Sequence, residues 1–379
     1  MYICLQFQDY DMDYTIYKNS LGLALTLMIF FAIYFFVAKT PEKPIFSNYK
    51  RSRRIMGTAL LVLAANYSVH LFCGLRFKSQ DAAILMNLST YFLSYWLFAA
   101  AMVTLLNRFF ITVRRFIRNI IFWIVFTALA CVVLFGLPHG GMDRIVGIAA
   151  LAVCLFGYGI YLSWRIIRTY HHAVRLFDDT HSENIAAYIR WMSIFTWWAV
   201  IYGVSCGLLT FLPDEYVFLW ILSSVPFYIY LYCSYMNYLL FYEQVETILE
   251  IPEEKEESVS DTPTYYSAIE KNLAVWLSQN GFTHPGLTIE DLALTIGTNR
   301  TYLSAYIKQT YAVTFREWIA NLRIDYAKQL FTTDPKMSVR EVCEATGFLS
   351  QSYFVKIFSD KEGLSPAKWK REVCSINKQ

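Results

Sequence analysis

Apolar and polar residues follow different patterns in the two parts of this chain. In the first 242 residues the apolar positions run together. Segments 21–38, 55–73, 82–106, 120–137, 145–164, 191–212 and 217–241 contain no Asp, Glu, Lys or Arg. A helix rises about 1.5 Å per residue, so crossing about 30 Å of hydrocarbon takes roughly 20 apolar residues. Helices in a soluble core show a polar face, and these mostly do not. The pattern predicts seven membrane-spanning helices. The first is read as a retained span and not a cleaved leader, because no basic flank precedes it.

From Tyr265 the pattern becomes amphipathic. Ile269, Leu273, Trp276 and Leu277 recur at helical spacing and predict a core-facing stripe. Thr288-Ile289-Glu290-Asp291 resembles a capping box, and Leu292, Ala293 and Ile296 bury the short helix that follows. Gly297 permits a tight turn, and Asn299 can cap a second helix over 300–310 with Leu303 and Ile307 inward. Helix, glycine turn, helix is a helix-turn-helix. The arrangement then recurs: Ser338-Val339-Arg340-Glu341 is another capping box, with Gly347 50 residues after Gly297. Phe354 and Phe358 follow Leu303 and Ile307 by 51. A long amphipathic segment, 315–331, separates the two, and Ser365-Pro366 opens a last helix.

Composition divides the chain the same way. Apolar residues make up 56% and charged residues 17%, an apolar excess for a soluble protein. Residues 243–262 carry eight acids and one Lys. They read as a solvated linker that begins as a continuation of the last span. The expected domains are 1–242, a membrane domain; 243–263, an acidic linker; and 264–379, a soluble domain. The predicted inward loops 39–54, 107–119 and 165–190 hold 14 Lys/Arg against 4 on the other side. Basic loops stay cytoplasmic, so the amino terminus is expected outside and the soluble domain in the cytoplasm. The outward loops 138–144 and 213–216 are too short to fold as a ligand domain.

The residues Gly347-Phe348, Ser352-Tyr353-Phe354, Phe358 and Gly363-Leu364-Ser365-Pro366 resemble the double helix-turn-helix domain of AraC/XylS transcription regulators. Tyr302-Leu303-Ser304 and Leu322-Arg323-Ile324, with Ala327 and Leu330, fit the first half. The resemblance covers roughly the last 110 residues. The preceding region does not resemble that family's usual soluble sugar-binding module. It looks like the multi-spanning membrane portion found on some regulators. The fold class expected is therefore all-α: a seven-helix transmembrane bundle followed by a cytoplasmic tandem helix-turn-helix domain.

The resemblance implies recognition helices in successive major grooves, about 34 Å apart. Base-edge readers would be Arg300, Thr301 and Ser304, then Gln351, Ser352 and Lys356. Lys308, Arg316 and Lys368 would touch phosphates. Tyr302, Phe348 and Phe354 read as core. Three positions depart from the family: Ala305 and Lys356 where Arg is common, and Ala312 where Gly is usual. Lys is a poorer bidentate reader of guanine than Arg. The implied partners are double-stranded DNA, the lipid bilayer, a second copy of the chain and RNA polymerase. The implied setting is the bacterial inner membrane.

Other chemistry is sparse. The eight cysteines form no CxxC or Cys/His cluster, so neither disulfides nor zinc are expected. There are no paired carboxylates within a span, no Ser/His/Asp set and no glycine-rich phosphate loop, so no enzyme, cofactor or metal site is expected. Asn66 and His70 share a helix face and, with Asn87, predict interhelical hydrogen bonds. His171 and His172 read as solvated. The alternative to a membrane-anchored regulator is a receptor or transporter-like protein whose soluble tail binds a protein.

Overall fold

A computed structural model describes residues 2–209, 214–249 and 263–376. The regular elements among the described residues are helices, apart from one isolated bridge between His181 and Thr288. They divide into two compact units. One comprises Met1–His171 with Tyr188–Leu249; the other comprises His172–Ala187 with Glu250–Gln379.

The first unit contains α1 (Tyr2–Val37), α2 (Ser47–Cys73), the short α3 (Leu75–Lys78), α4 (Gln80–Leu106), α5 (Val113–Cys131), most of α6 (Met142–Thr180), α7 (Arg190–Leu209), α8 (Asp214–Tyr238) and α9 (Tyr242–Leu249). α2 packs against α1 and α4, and α8 against α1. α4 is the inner helix, with 72% of its most apolar window buried against 17% in α6. Ile117, Ile121, Phe122, Ile124, Val125 and Leu129 of α5 all face outward. Six helices among the described residues are long and apolar enough to cross a membrane. The seventh expected segment, 191–212, runs into residues 210–213, which lie outside the described set; α7 accounts for its earlier part.

Several polar side chains inside this unit are paired between helices. Asn66 of α2 donates to Asn87 of α4 at 3.1 Å, and the His70 ring nitrogen Nε2 lies 3.0 Å from the same oxygen. This is the interhelical bonding expected of them, since an apolar surround offers no water as a substitute. Asn48 donates to the Thr104 carbonyl at 2.6 Å, and the Tyr49 hydroxyl donates to the Tyr235 carbonyl at 2.9 Å. These bonds tie α2 to both α4 and α8.

Two helices extend beyond their expected limits. α1 begins at Tyr2, so the polar amino-terminal stretch is helical. α6 continues to Thr180 through what the charge pattern marked as a loop. Ala173, Phe177 and Thr180 are buried at helical spacing there, while His171 and His172 stay exposed. An amphipathic stripe carries the helix on after the apolar run ends.

The second unit contains α10 (Pro263–Ser278), α11 (Ile289–Ile296), α12 (Arg300–Tyr311), α13 (Phe315–Thr333), α14 (Val339–Ala345), α15 (Gln351–Glu362) and α16 (Pro366–Ile376). Both capping boxes form. The Thr288 hydroxyl accepts from the Asp291 amide at 3.1 Å, and Ser338 accepts from the Glu341 amide at 3.2 Å. Asn299 caps α12 and Ser350 caps α15. Two cores result. One gathers Ile269, Leu273, Trp276, Leu292, Ile296, Leu303, Ile307, Trp318 and Ile319. The other gathers Ile324, Ala327, Phe331, Val342, Phe348, Phe354 and Phe358. α13 supplies its first half to one core and its second half to the other. Phe348 and Phe354 are core as expected, and Tyr302 packs partly buried on the first core.

Left-handed positions separate two kinds of constraint. Ala312 closes α12 at φ 56°, a conformation that strains any residue with a Cβ. Gly347 has φ 83°, and a Cβ there would clash with the Thr283 carbonyl oxygen. Ala312→Gly is expected to stabilise the first helix-turn-helix by about 0.5–1 kcal/mol. Gly347→Ala is expected to destabilise the second by about 3 kcal/mol or more, since both φ and a backbone clash oppose it. Hydrogen exchange at the α12 and α14 amides of the full chain measures both. Equal protection in the two variants would refute the contrast.

Candidate nucleic-acid interface

The two helices expected to read DNA are the second helices of their helix-turn-helix units. Each turns its apolar stripe into a core and leaves an opposite face outside. On α12, Thr301, Ser304 and Lys308 stand three and four residues apart, which puts them on one face. Ala305 shares that face, so it is short of hydrogen-bonding groups. On α15, Gln351, Ser352 and Lys356 are all exposed; Ser352 and Lys356 lie opposite buried Phe354 and Phe358, and Gln351 opens the helix. Lys368, on α16, is exposed as well.

The remaining cations have partners. The Arg300 Nε lies 3.5 Å from Glu290, half a turn into α11. Burial pushes the Glu290 carboxyl up, while Arg300 opposes the shift. Lys308 donates to Asp179 at 2.7 Å. Arg316 lies 3.2 Å from Asp178 and donates to the Asn184 side chain at 3.0 Å. Asp178, Asp179 and Asn184 belong to the segment His172–Ala187, which the contacts place within this unit.

That segment is bound along its length. The Ser182 amide donates to the Leu287 carbonyl at 3.1 Å, and His181 pairs antiparallel with Thr288, the cap of α11. Burial lowers the His181 pKa from its ordinary 6.5 to about 4, helped by Arg300 and opposed by Asp291. The imidazole is neutral at pH 7. Glu183 reaches Arg323, at 3.1 Å.

Arg323, which the sequence marked only as part of the resemblance, has a structural role that its local pattern does not show. It has no exposed surface, yet it sits on α13 at the junction of the two cores. Its Nε donates to the Phe282 carbonyl and its NH2 group to the His284 carbonyl, both at 2.8 Å. Its NH1 group donates to Glu183, and the guanidinium lies 5.4 Å from the Phe348 ring centroid. Burial works against the charge of both Arg323 and Glu183; their attraction opposes it. Nothing in the local pattern marks Asp178, Asp179 or Glu183 as partners of residues about 130–140 positions away. An ion pair has no periodicity.

With this geometry established, comparison with known proteins is informative. Residues 292–372 match the family described as a helix-turn-helix domain, of the AraC type. The Msm operon regulatory protein of Streptococcus mutans is 29% identical over 118 residues, 31% of this chain and 40% of that protein. The virulence regulon transcriptional activator VirF of Yersinia enterocolitica is 31% identical over 83 residues, 22% of this chain and 30% of that protein. The melibiose operon regulatory protein of Escherichia coli is 25% identical over 113 residues, 28% of this chain and 37% of that protein. In each of these three, the matched part spans less than half of the relative's length. No solved structure matches the chain. The chain thus carries an AraC-type DNA-binding domain at its carboxyl end and has AraC-family regulators as homologues. This is a family of DNA-binding proteins and not of enzymes.

Arg323→Met keeps the bulk but leaves two carbonyls and Glu183 without their donor. It is expected to lower the opening free energy of α13 and α14 by about 3 kcal/mol, the scale of breaking a buried ion pair. Hydrogen exchange on the full chain reads this directly; protection unchanged from wild type would refute it.

Proposed function

We propose that this chain is a membrane-anchored, sequence-specific DNA-binding transcription regulator. Its helical bundle lies in the bacterial inner membrane and its AraC-type domain faces the cytoplasm. The observation that carries this reading is the pair of outward faces on α12 and α15, each on the second helix of a tandem helix-turn-helix. In such units the second helix enters the major groove.

Base edges are read by Arg300, Thr301 and Ser304 in one groove and Gln351, Ser352 and Lys356 in the next. Gln can pair with adenine through two hydrogen bonds, and Lys donates to guanine. Lys308, Arg316 and Lys368 hold phosphates and set the register. The α12 face is poor in donors because of Ala305, so α15 carries more of the discrimination. The domain partners are double-stranded DNA, a second copy of the chain and RNA polymerase. Residues 264–379 carry 14 Lys/Arg and 11 Asp/Glu, a modest balance. Affinity therefore comes from localised contacts and pairing of copies more than from bulk charge.

Membrane anchoring is supported by the apolar outer surfaces of α5 and α6 and by the 14 to 4 bias of Lys/Arg. The relatives named for operon regulation support a role at promoters.

Gln351→Ala and Lys356→Ala are each expected to weaken binding of the full chain, in lipid nanodiscs, to its footprinted operator by about 1–3 kcal/mol. Wild-type affinity in both variants would move the reading helix elsewhere. No footprint at moderate salt would favour a protein-binding tail, and a carboxyl terminus reported outside the cell would exclude a chromosomal target.

A further inference from the structure

Two of the three cations assigned to phosphate contact, Lys308 and Arg316, are already held by carboxylates of the same chain. The segment His172–Ala187 follows directly from the apolar part of α6 and belongs to the compact unit of the DNA-binding domain. Asp179 accepts from Lys308 at 2.7 Å, and Asp178 lies 3.2 Å from Arg316. Asn184 accepts a further bond from Arg316 at 3.0 Å. The segment touches both helix-turn-helix units. It is bonded to the first at Leu287 and Thr288, and it meets the second through Glu183 and Arg323, whose guanidinium lies 5.4 Å from the Phe348 ring centroid.

Duplex DNA presents its phosphates to basic side chains as single negative charges. Asp178 and Asp179 present single negative charges to the same side chains. One ammonium or guanidinium face cannot be filled by a carboxylate and a phosphate at once. We infer that the segment His172–Ala187 is an acidic strap that masks the phosphate-binding side of the DNA-binding domain, and that DNA binds when the strap is displaced. This rests on the DNA-binding reading and adds its regulation.

Two features make the strap releasable. The ion pairs at Lys308 and Arg316 retain solvent access, with side chains 50% and 24% exposed, so each is worth little alone. Residues 172–180 of the strap, Asp178 and Asp179 included, are also the last turns of α6 itself, so the strap is continuous with that helix. Arg323 and Glu183 form the firmer end, because their side chains are only 0% and 16% exposed.

The test uses the full chain in nanodiscs and a mixed-sequence duplex of about 40 base pairs at about 50 mM salt, where phosphate contacts dominate. His181→Cys with Thr288→Cys places two thiols at an antiparallel pair, within the Cα spacing a disulfide needs. The oxidised, strap-locked protein is expected to bind the duplex at least about tenfold more weakly than the same protein reduced. Asp178→Asn with Asp179→Asn, which changes no DNA contact, is expected to bind about three- to tenfold more tightly than wild type. Equal binding by locked and reduced protein, or wild-type affinity in the double Asn variant, overturns the strap while leaving DNA binding intact. If no form binds the duplex, the DNA-binding reading itself fails and the strap with it.

Discussion

A guanidinium with no exposed surface must have its hydrogen bonds supplied by the protein, and Arg323 meets that requirement from three directions. Two backbone carbonyls come from the turn after α10, and a carboxylate comes from a segment about 140 residues earlier. Desolvating an ion costs several kcal/mol, which is recovered only when each donor is well paired. The position of Arg323 on α13 makes this more than a local matter. Phe315, Trp318 and Ile319 on one side belong to the first core, and Ile324, Ala327 and Phe331 on the other belong to the second. The orientation of the two helix-turn-helix units therefore depends on a helix whose middle is pinned by one cation.

The same pairing sets where the early segment lies. Glu183 is drawn to Arg323, and Asp178 and Asp179 then stand beside Arg316 and Lys308. A structural ion pair and a regulatory contact become parts of one strap. The exposed residues Gln351, Ser352 and Lys356 remain outside it. The proposed phosphate contacts Lys308 and Arg316 thus lie under the segment, whereas the proposed readers on α15 do not.

The other unit obeys a different constraint. Its outer surface is apolar, so its polar groups are gathered inward and must satisfy one another. Asn66, His70 and Asn87 do so between α2 and α4, and Asn48 and Tyr49 do so toward α4 and α8. α4 is the hub because it offers small residues, Ala99, Ala100 and Ala101, where neighbours approach closely.

Much of this was legible in the order of residues. Uncharged runs marked the long helices, since a helix needs only local backbone bonds and an apolar surround tolerates nothing else. Thr288, Asn299 and Ser338 marked helix starts, because a cap acts over three residues. The 50-residue recurrence marked the tandem units, and Ala312 marked a left-handed position where glycine would be at ease. What the sequence could not show was which distant charges meet. The extension of α6, the burial of Arg323 and the docking of Asp178, Asp179 and Glu183 depend on segments brought together only after the helices pack. Local pattern determines elements because propensity, capping and burial act over one or two turns. Tertiary structure alone decides pairings across about 130 residues, because Coulomb attraction depends on distance in space and is indifferent to separation along the chain.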